Sequence, residues 1–157
     1  MPETSEQELE FHRKVAKECF NKTWDYLEKK NRTPDDDRQM LILAHTSRYH
    51  WELVGNARNL AVGEWQISRV YAALKQAEPS LLFAKSSLEL VINNNLSELL
   101  PSAYEGMARA YAVAQQPQLA RDYIVKARKE LESIRDEEDK KVYAGQINET
   151  ESLLQMR

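Results

Sequence analysis

Ile67-Ser68-Arg69-Val70-Tyr71-Ala72-Ala73 and Met107-Ala108-Arg109-Ala110-Tyr111-Ala112-Val113 align without a gap, arginine on arginine and tyrosine on tyrosine, at an offset of 40 residues. The correspondence continues with Ser80 on Ala120, Phe83 on Tyr123 and Ser87 on Ala127. Two helices approach closely only where the facing side chains are small, with large ones filling the space between. Both copies supply that order, so each predicts an antiparallel helical hairpin in a repeat architecture.

Working outward, the punctuation fits helices throughout. Ser5 with Glu8 has the form of a capping box opening a first helix, whose stripe of Leu9, Val15, Ala16, Cys19, Phe20, Trp24 and Leu27 should end near residues 29–32. Thr33 and Pro34 followed by Asp35, Asp36 and Asp37 read as the start of a second helix, with acids at the positive end of its dipole. An EF-hand would need further acids at alternate positions, a loop glycine and a twelfth-position glutamate, and these are missing. That helix runs through Met40, Leu41, Leu43, Ala44, Tyr49, Trp51 and Val54 and stops at Gly55-Asn56. A third covers about 57–76, and a fourth starts near Pro79 and closes in Asn93-Asn94-Asn95, residues that tolerate left-handed geometry. Pro101 and Pro117 open a fifth helix, to about Ala114, and a sixth, to about Ile134. A seventh follows the charged turn at 135–139, with Val142, Ile147, Leu153 and Leu154 as a sparse apolar face. The expectation is one all-α domain over 1–157. It divides into a divergent hairpin (5–55), a repeat-like hairpin (57–95), a second such hairpin (97–134) and a closing helix (136–155).

Composition narrows the function classes. Hydrophobic residues make up 42% and charged residues 30%, the balance of a folded chain and not a disordered one. Four glycines and five prolines are few for an all-β protein of 157 residues. A net charge of −3 speaks against a nucleic-acid partner. No apolar run reaches the ~20 residues of a membrane span. The start MPETSEQELE is acidic and polar, unlike a secretion signal, so a cytoplasmic protein without membrane contact is expected. The lone Cys19 cannot form an internal disulfide or a zinc ribbon and reads as a small buried residue. No phosphate loop, dinucleotide fingerprint or serine-nucleophile elbow occurs, so no enzyme and no cofactor are expected. The aromatic series Trp24, Tyr26, Trp51, Trp65, Tyr71, Phe83, Tyr104 and Tyr111 falls at helical spacing and reads as core. The basic stretch 121–129, interleaved with Asp122, reads as a solvated face.

The segment from Ser102 to about Ile134 resembles a tetratricopeptide repeat. Tyr104, Met107, Ala108, Tyr111, Ala120 and Ala127 fall where that family places its aromatic, leucine, small, tyrosine and two alanine positions. The copy from about Val62 to Leu90 is similar but carries serines at 68, 80 and 87. The 40-residue offset exceeds the family's ~34, placing about six extra residues around 93–99. The phrases Ser47-Arg48-Tyr49-His50-Trp51 and Gly63-Glu64-Trp65-Gln66 also resemble a bacterial family with no assigned activity. The tetratricopeptide resemblance implies an α–α superhelix of about seven helices, with the first helix of each hairpin lining a concave side. There it implies Val62, Trp65, Arg69 and Ala72 on helix 3, and Ser102, Glu105, Arg109 and Ala112 on helix 5. The asparagine and lysine pattern with which some members clamp a chaperone tail is not present.

Two arginines beside an indole suit carboxylate or phosphate and a flat apolar contact. The first candidate site is therefore a peptide groove of Trp65, Arg69, Glu105 and Arg109 for a protein partner or acidic peptide. The competing expectation is that both arginines simply bridge helices through Glu64, Glu105 or other acids. The second candidate is a pocket at the helix 2/helix 3 junction, with Arg48, His50, Trp51 and Glu64, and His45 nearby. Two histidines and a glutamate can ligate zinc or move protons. His45 and His50 lie five apart, however, which splits them around the helix, and no metal is expected there. His12 could join only through tertiary packing. A third possibility is a structural self-association module, a homodimer through an exposed face of an end hairpin.

Overall fold

The computed structural model describes residues 5–155. The N-terminal stretch read above as polar and acidic includes residues 1–4, which lie outside them. Among the described residues there are seven α-helices and no strand: α1 (Glu6–Glu28), α2 (Pro34–Val54), α3 (Ala57–Ala73), α4 (Ala77–Asn93), α5 (Leu100–Val113), α6 (Pro117–Leu131) and α7 (Glu137–Leu153). None is long and apolar enough to cross a membrane.

The helix starts are set by side-chain caps. Thr33 and Asp36 form a reciprocal capping box under Pro34, and Asn56 and Asn59 form another at the head of α3. At α1 the Ser5 hydroxyl accepts from the Glu8 N–H, but no return bond from Glu8 completes the box. Asp136 caps α7. The ends of α3 and α5 are equivalent. Lys75 and Gln115 both adopt left-handed backbone, φ 60° and 61°. The Gln76 N–H donates to the Tyr71 carbonyl as Gln116 does to Tyr111. This turn stops α3 at Ala73, short of the expected residue 76. Asn95, φ 55°, closes α4 in the same way. The surplus residues of the 40-residue offset include a 3₁₀ turn, Ser97–Leu99, which feeds α5.

Consecutive helices pack as antiparallel neighbours along the chain, an α–α superhelical arrangement. Along the stack α3 touches α1 and α5, and α5 touches α7, whereas the even-numbered helices do not touch one another. The odd-numbered helices therefore form the tighter, inner layer, with α2, α4 and α6 on the outer side.

The repeat recurs in the packing. Tyr71 stacks on Phe83 at 5.8 Å and 15°, and Tyr111 on Tyr123 at 5.7 Å and 17°. Where Ala108 and Ala120 are fully buried, Ser68 and Ser80 exchange hydrogen bonds, each hydroxyl donating to the other's carbonyl, at 2.7 and 2.9 Å. Serine thus fits an alanine position because the opposite backbone satisfies it. In α3, burial is unbroken from Gly63 to Val70, as expected of a central element with neighbours on every side.

Several expectations about exposure are corrected. Tyr49 and Val142 are 57% and 55% exposed, because each lies on the outer side of a helix with neighbours on one side only. Cys19 is half-buried, and burial raises its thiol pKa. Arg128 leaves the solvated face of α6 to donate to Asn148 and Glu151 of α7.

Candidate functional site

Position 69 on α3 and position 109 on α5 point into the inner layer, where their side chains meet. Arg69 lies within 3.5 Å of Glu105 on α5 and donates through Nη2 to both carboxylate oxygens of Glu149 on α7, at 3.1 and 3.0 Å. Its guanidinium covers the Trp24 ring of α1 at 5.0 Å and the Trp65 ring at 5.8 Å. Arg109 has Glu105 at 3.6 Å from Nε and Glu149 at 3.9 Å from Nη2. The structure thus brings Trp65, Arg69, Glu105 and Arg109 together, and adds Trp24 and Glu149. Glu64, the other bridge considered, pairs instead with Arg48 at 3.6 Å and accepts from Ser86.

The cluster is dry on one side and wet on the other. The Glu105 side chain is 2% exposed and both arginine side chains 10%, while that of Glu149 is 56% exposed. Burial raises the Glu105 pKa, against the pull of Arg109 and Arg69. Burial also pushes Glu149 up, but Arg69 and Arg109 outweigh it and its net shift is downward. The Arg69 pKa is lowered by burial and then by Arg109, against Glu105 and Glu149.

Pairing is uneven. Arg69 reaches both acids at 3.0–3.5 Å, whereas Arg109 meets them at longer range, its Nε in an ion pair with Glu105 Oε2 at 3.6 Å and its Nη2 3.9 Å from Glu149. Buried polar atoms are normally satisfied, and Arg109 Nη2, 3.9 Å from Glu149, is the point where the packed chain leaves bonding capacity over. Two donors on one edge of a planar guanidinium match the two oxygens of a carboxylate.

Trp65 can lie this close because α5 carries Gly106 opposite it. A Cβ there would stand 3.0 Å from the indole Cδ1. The other side of Trp65 walls a pocket of about 150 Å³ between α3, α4, α5 and α7, with Val62, Val91 and Ala103 as apolar lining and Tyr143 and Gln146 from α7.

The α7 contribution escaped the sequence reading, yet a signal was there. Glu149 lies 40 residues beyond Arg109, as Arg109 lies 40 beyond Arg69. The repeat spacing extends into α7, with the sign of the charge reversed at its third position.

The junction of α2 and α3 is not one pocket. His50 Nδ1 lies 2.9 Å from His12 Nδ1 of α1, so tertiary packing does recruit His12. His45 Nε2 lies 3.0 Å from the Tyr71 hydroxyl and packs edge-on against Phe83. Arg48 and Glu64 pair with each other, and a Cβ added at Gly63 would press on Arg48 at 3.1 Å. Trp51 faces a different cavity, with Lys17, Phe20 and Val62. The physical reason is helical geometry and packing: residue 50 lies across the helix from 45 and 48, and each of the four side chains is claimed by a different neighbour. Among the described residues no three His, Cys, Asp or Glu side chains converge to hold a metal ion.

Comparison of the chain with protein-family models, curated proteins and solved structures yielded no match in any of the three.

Proposed function

We propose that this protein is a tetratricopeptide-like scaffold that binds a partner protein through an acidic segment laid in its inner groove, and that it catalyses no reaction. The observation that carries this reading is Arg109: nine-tenths buried, with Nε in a long ion pair with Glu105 at 3.6 Å and Nη2 left 3.9 Å from Glu149, next to Arg69, whose own guanidinium covers two indoles. A partner carboxylate supplies what that guanidinium lacks. The groove also has an exposed rim in Glu149, so the cluster is reachable from solvent.

An array of acidic peptides probed with wild type and Arg109→Gln tests this. The expected result is a set of peptides bound by wild type and lost with the variant, while circular dichroism stays unchanged. Equal binding by both proteins removes the groove from the account.

A second reading, self-association, is supported by α2. Ile42, Tyr49 and Leu53 recur along one face of the end hairpin and are 50%, 57% and 44% exposed. Light scattering at several concentrations tests it, and a strict monomer overturns it. A metal or metabolite site at the α2–α3 junction has less behind it, since His50 and Glu64 are engaged by separate partners.

A further inference from the structure

Resting on the groove reading, we propose that the bound segment carries a carboxylate that takes the place of Glu149 on the arginines and, two or three residues away, an aliphatic or phenyl side chain that enters the pocket behind Trp65.

The anionic half follows from the way Glu149 is held. It is the one member of the ion cluster with more than half its side chain in solvent, and it belongs to α7, which packs on α5 and α6 but not on α3. Its bond to Arg69 therefore spans helices that are not packed on each other. A solvated surface acid held this way exchanges at little cost, because an incoming carboxylate restores the bonds it breaks. Arg109 makes the exchange favourable. Its Nη2 stands 3.9 Å from Glu149, beyond hydrogen-bonding reach, and a carboxylate not tethered to α7 can satisfy both guanidinium groups. Glu149 is in this sense a built-in competitor.

The apolar half follows from the pocket. At about 150 Å³ it matches the size of an apolar cavity that admits one benzene. Val62, Trp65, Val91 and Ala103 line it, and Tyr143 and Gln146 supply polar groups suited to backbone contact. Trp65 joins the two halves, since the ring that walls the pocket also carries the Arg69 guanidinium at 5.8 Å. On α3, Val62 and Arg69 are separated by seven residues, about 10 Å of helix, and arginine side chains lean toward the helix N-terminus. The two subsites then lie about 7–10 Å apart, the reach of two or three residues of extended chain at ~3.3 Å each.

The α7 surface leaves room for such a segment. Gly145, one turn before Glu149, would place an added Cβ with nothing within 4 Å.

The test uses the full chain and serine-rich decapeptides with one leucine and one glutamate two or three residues apart, followed by calorimetry. The parent peptides are expected to bind, with Leu→Ala and Glu→Gln in the peptide each weakening binding at least tenfold. Arg109→Gln in the protein reproduces the second loss and Ala103→Leu, which fills the pocket, the first. Val62→Phe at the pocket wall replaces Ala103→Leu should that variant not fold. Glu149→Gln tightens binding of the parent peptide several-fold, which a purely structural Glu149 would not do. Independently, toluene should shift the Trp65 indole N–H resonance in wild type and not in the filled variant. If glutamate matters and leucine does not, or if Glu149→Gln leaves the affinity unchanged, this inference falls while the groove reading stands. If no acidic peptide binds and toluene still does, the groove reading itself fails and takes this inference with it.

Discussion

Arg69 and Arg109 are the same residue at the same point of a repeat, yet they do different work. Arg69 hydrogen-bonds two acids and stacks on two indoles, so Arg69→Met leaves Glu105 buried with a weakened partner set. Breaking a buried pair on one side costs about 3–5 kcal/mol. Arg109 pairs with Glu105 at 3.6 Å but stands 3.9 Å from Glu149, so Arg109→Met should cost less than Arg69→Met by urea denaturation. Equal losses would mean that Arg109 is as fully engaged as its twin. The two glutamates give opposite pH signatures. Glu149 is held below its ordinary value of 4.5, so its stabilising contribution is full above that pH and fades as pH falls through the folded value. Glu149→Gln is thus most costly near neutrality and least costly in acid. Glu105 is held above 4.5, so its contribution is full below that pH and fades as pH rises. The cost of Glu105→Gln should shrink toward neutrality. Thermal melts of both variants from pH 3 to 8 check the two slopes. At this scale Arg69 and Arg109 were legible because they recur and Trp65 and Glu105 through the tetratricopeptide resemblance, whereas Glu149 was passed over because its sign breaks the 40-residue recurrence.

The helices owe their limits to caps and to three left-handed residues. Lys75 and Gln115 carry side chains where glycine would be unstrained, a conformation costing an L-residue about 1–2 kcal/mol. Lys75→Gly and Gln115→Gly should each raise stability by about 1 kcal/mol, partly offset by chain entropy, while Asn95→Gly gains less because asparagine tolerates the region. Glycines inside helices divide by what they face. Gly145→Ala meets nothing and should gain about 0.5–1 kcal/mol, as an exposed mid-helix glycine does. Gly106→Ala drives a methyl into the Trp65 ring and should lose stability and shift tryptophan fluorescence. Thermal melts with fluorescence separate the two. Element type and order were readable from prolines, caps and apolar spacing. The early end of α3 and the half-formed box at Ser5 were not, because each depends on backbone geometry that residue identities allow but do not require.

A stack whose helices touch only near neighbours has its strongest support in the middle. Burial is continuous through Gly63–Val70 and Glu105–Ala110, whereas α1 buries only Ala16 and Thr23, and α7 only Ile147 and Thr150. Amide hydrogen exchange should therefore be slowest in α3 and α5 and fastest in α1 and α7. Uniform protection would point to a single cooperative block instead. Over the whole molecule, the sequence by itself determined an all-α chain of about seven helices, their order, and the matching segments 67–73 and 107–113. Those follow from local rules: caps, first-turn prolines and small residues at close approaches act within one or two helix lengths. Only the tertiary structure decided who pairs with whom. It joined Arg69 to Glu149 across 80 residues, His50 to His12 across 38, and kept His50 apart from Glu64. Side-chain reach across a groove depends on how packed helices are rotated and offset, and periodicity along the chain does not carry that information.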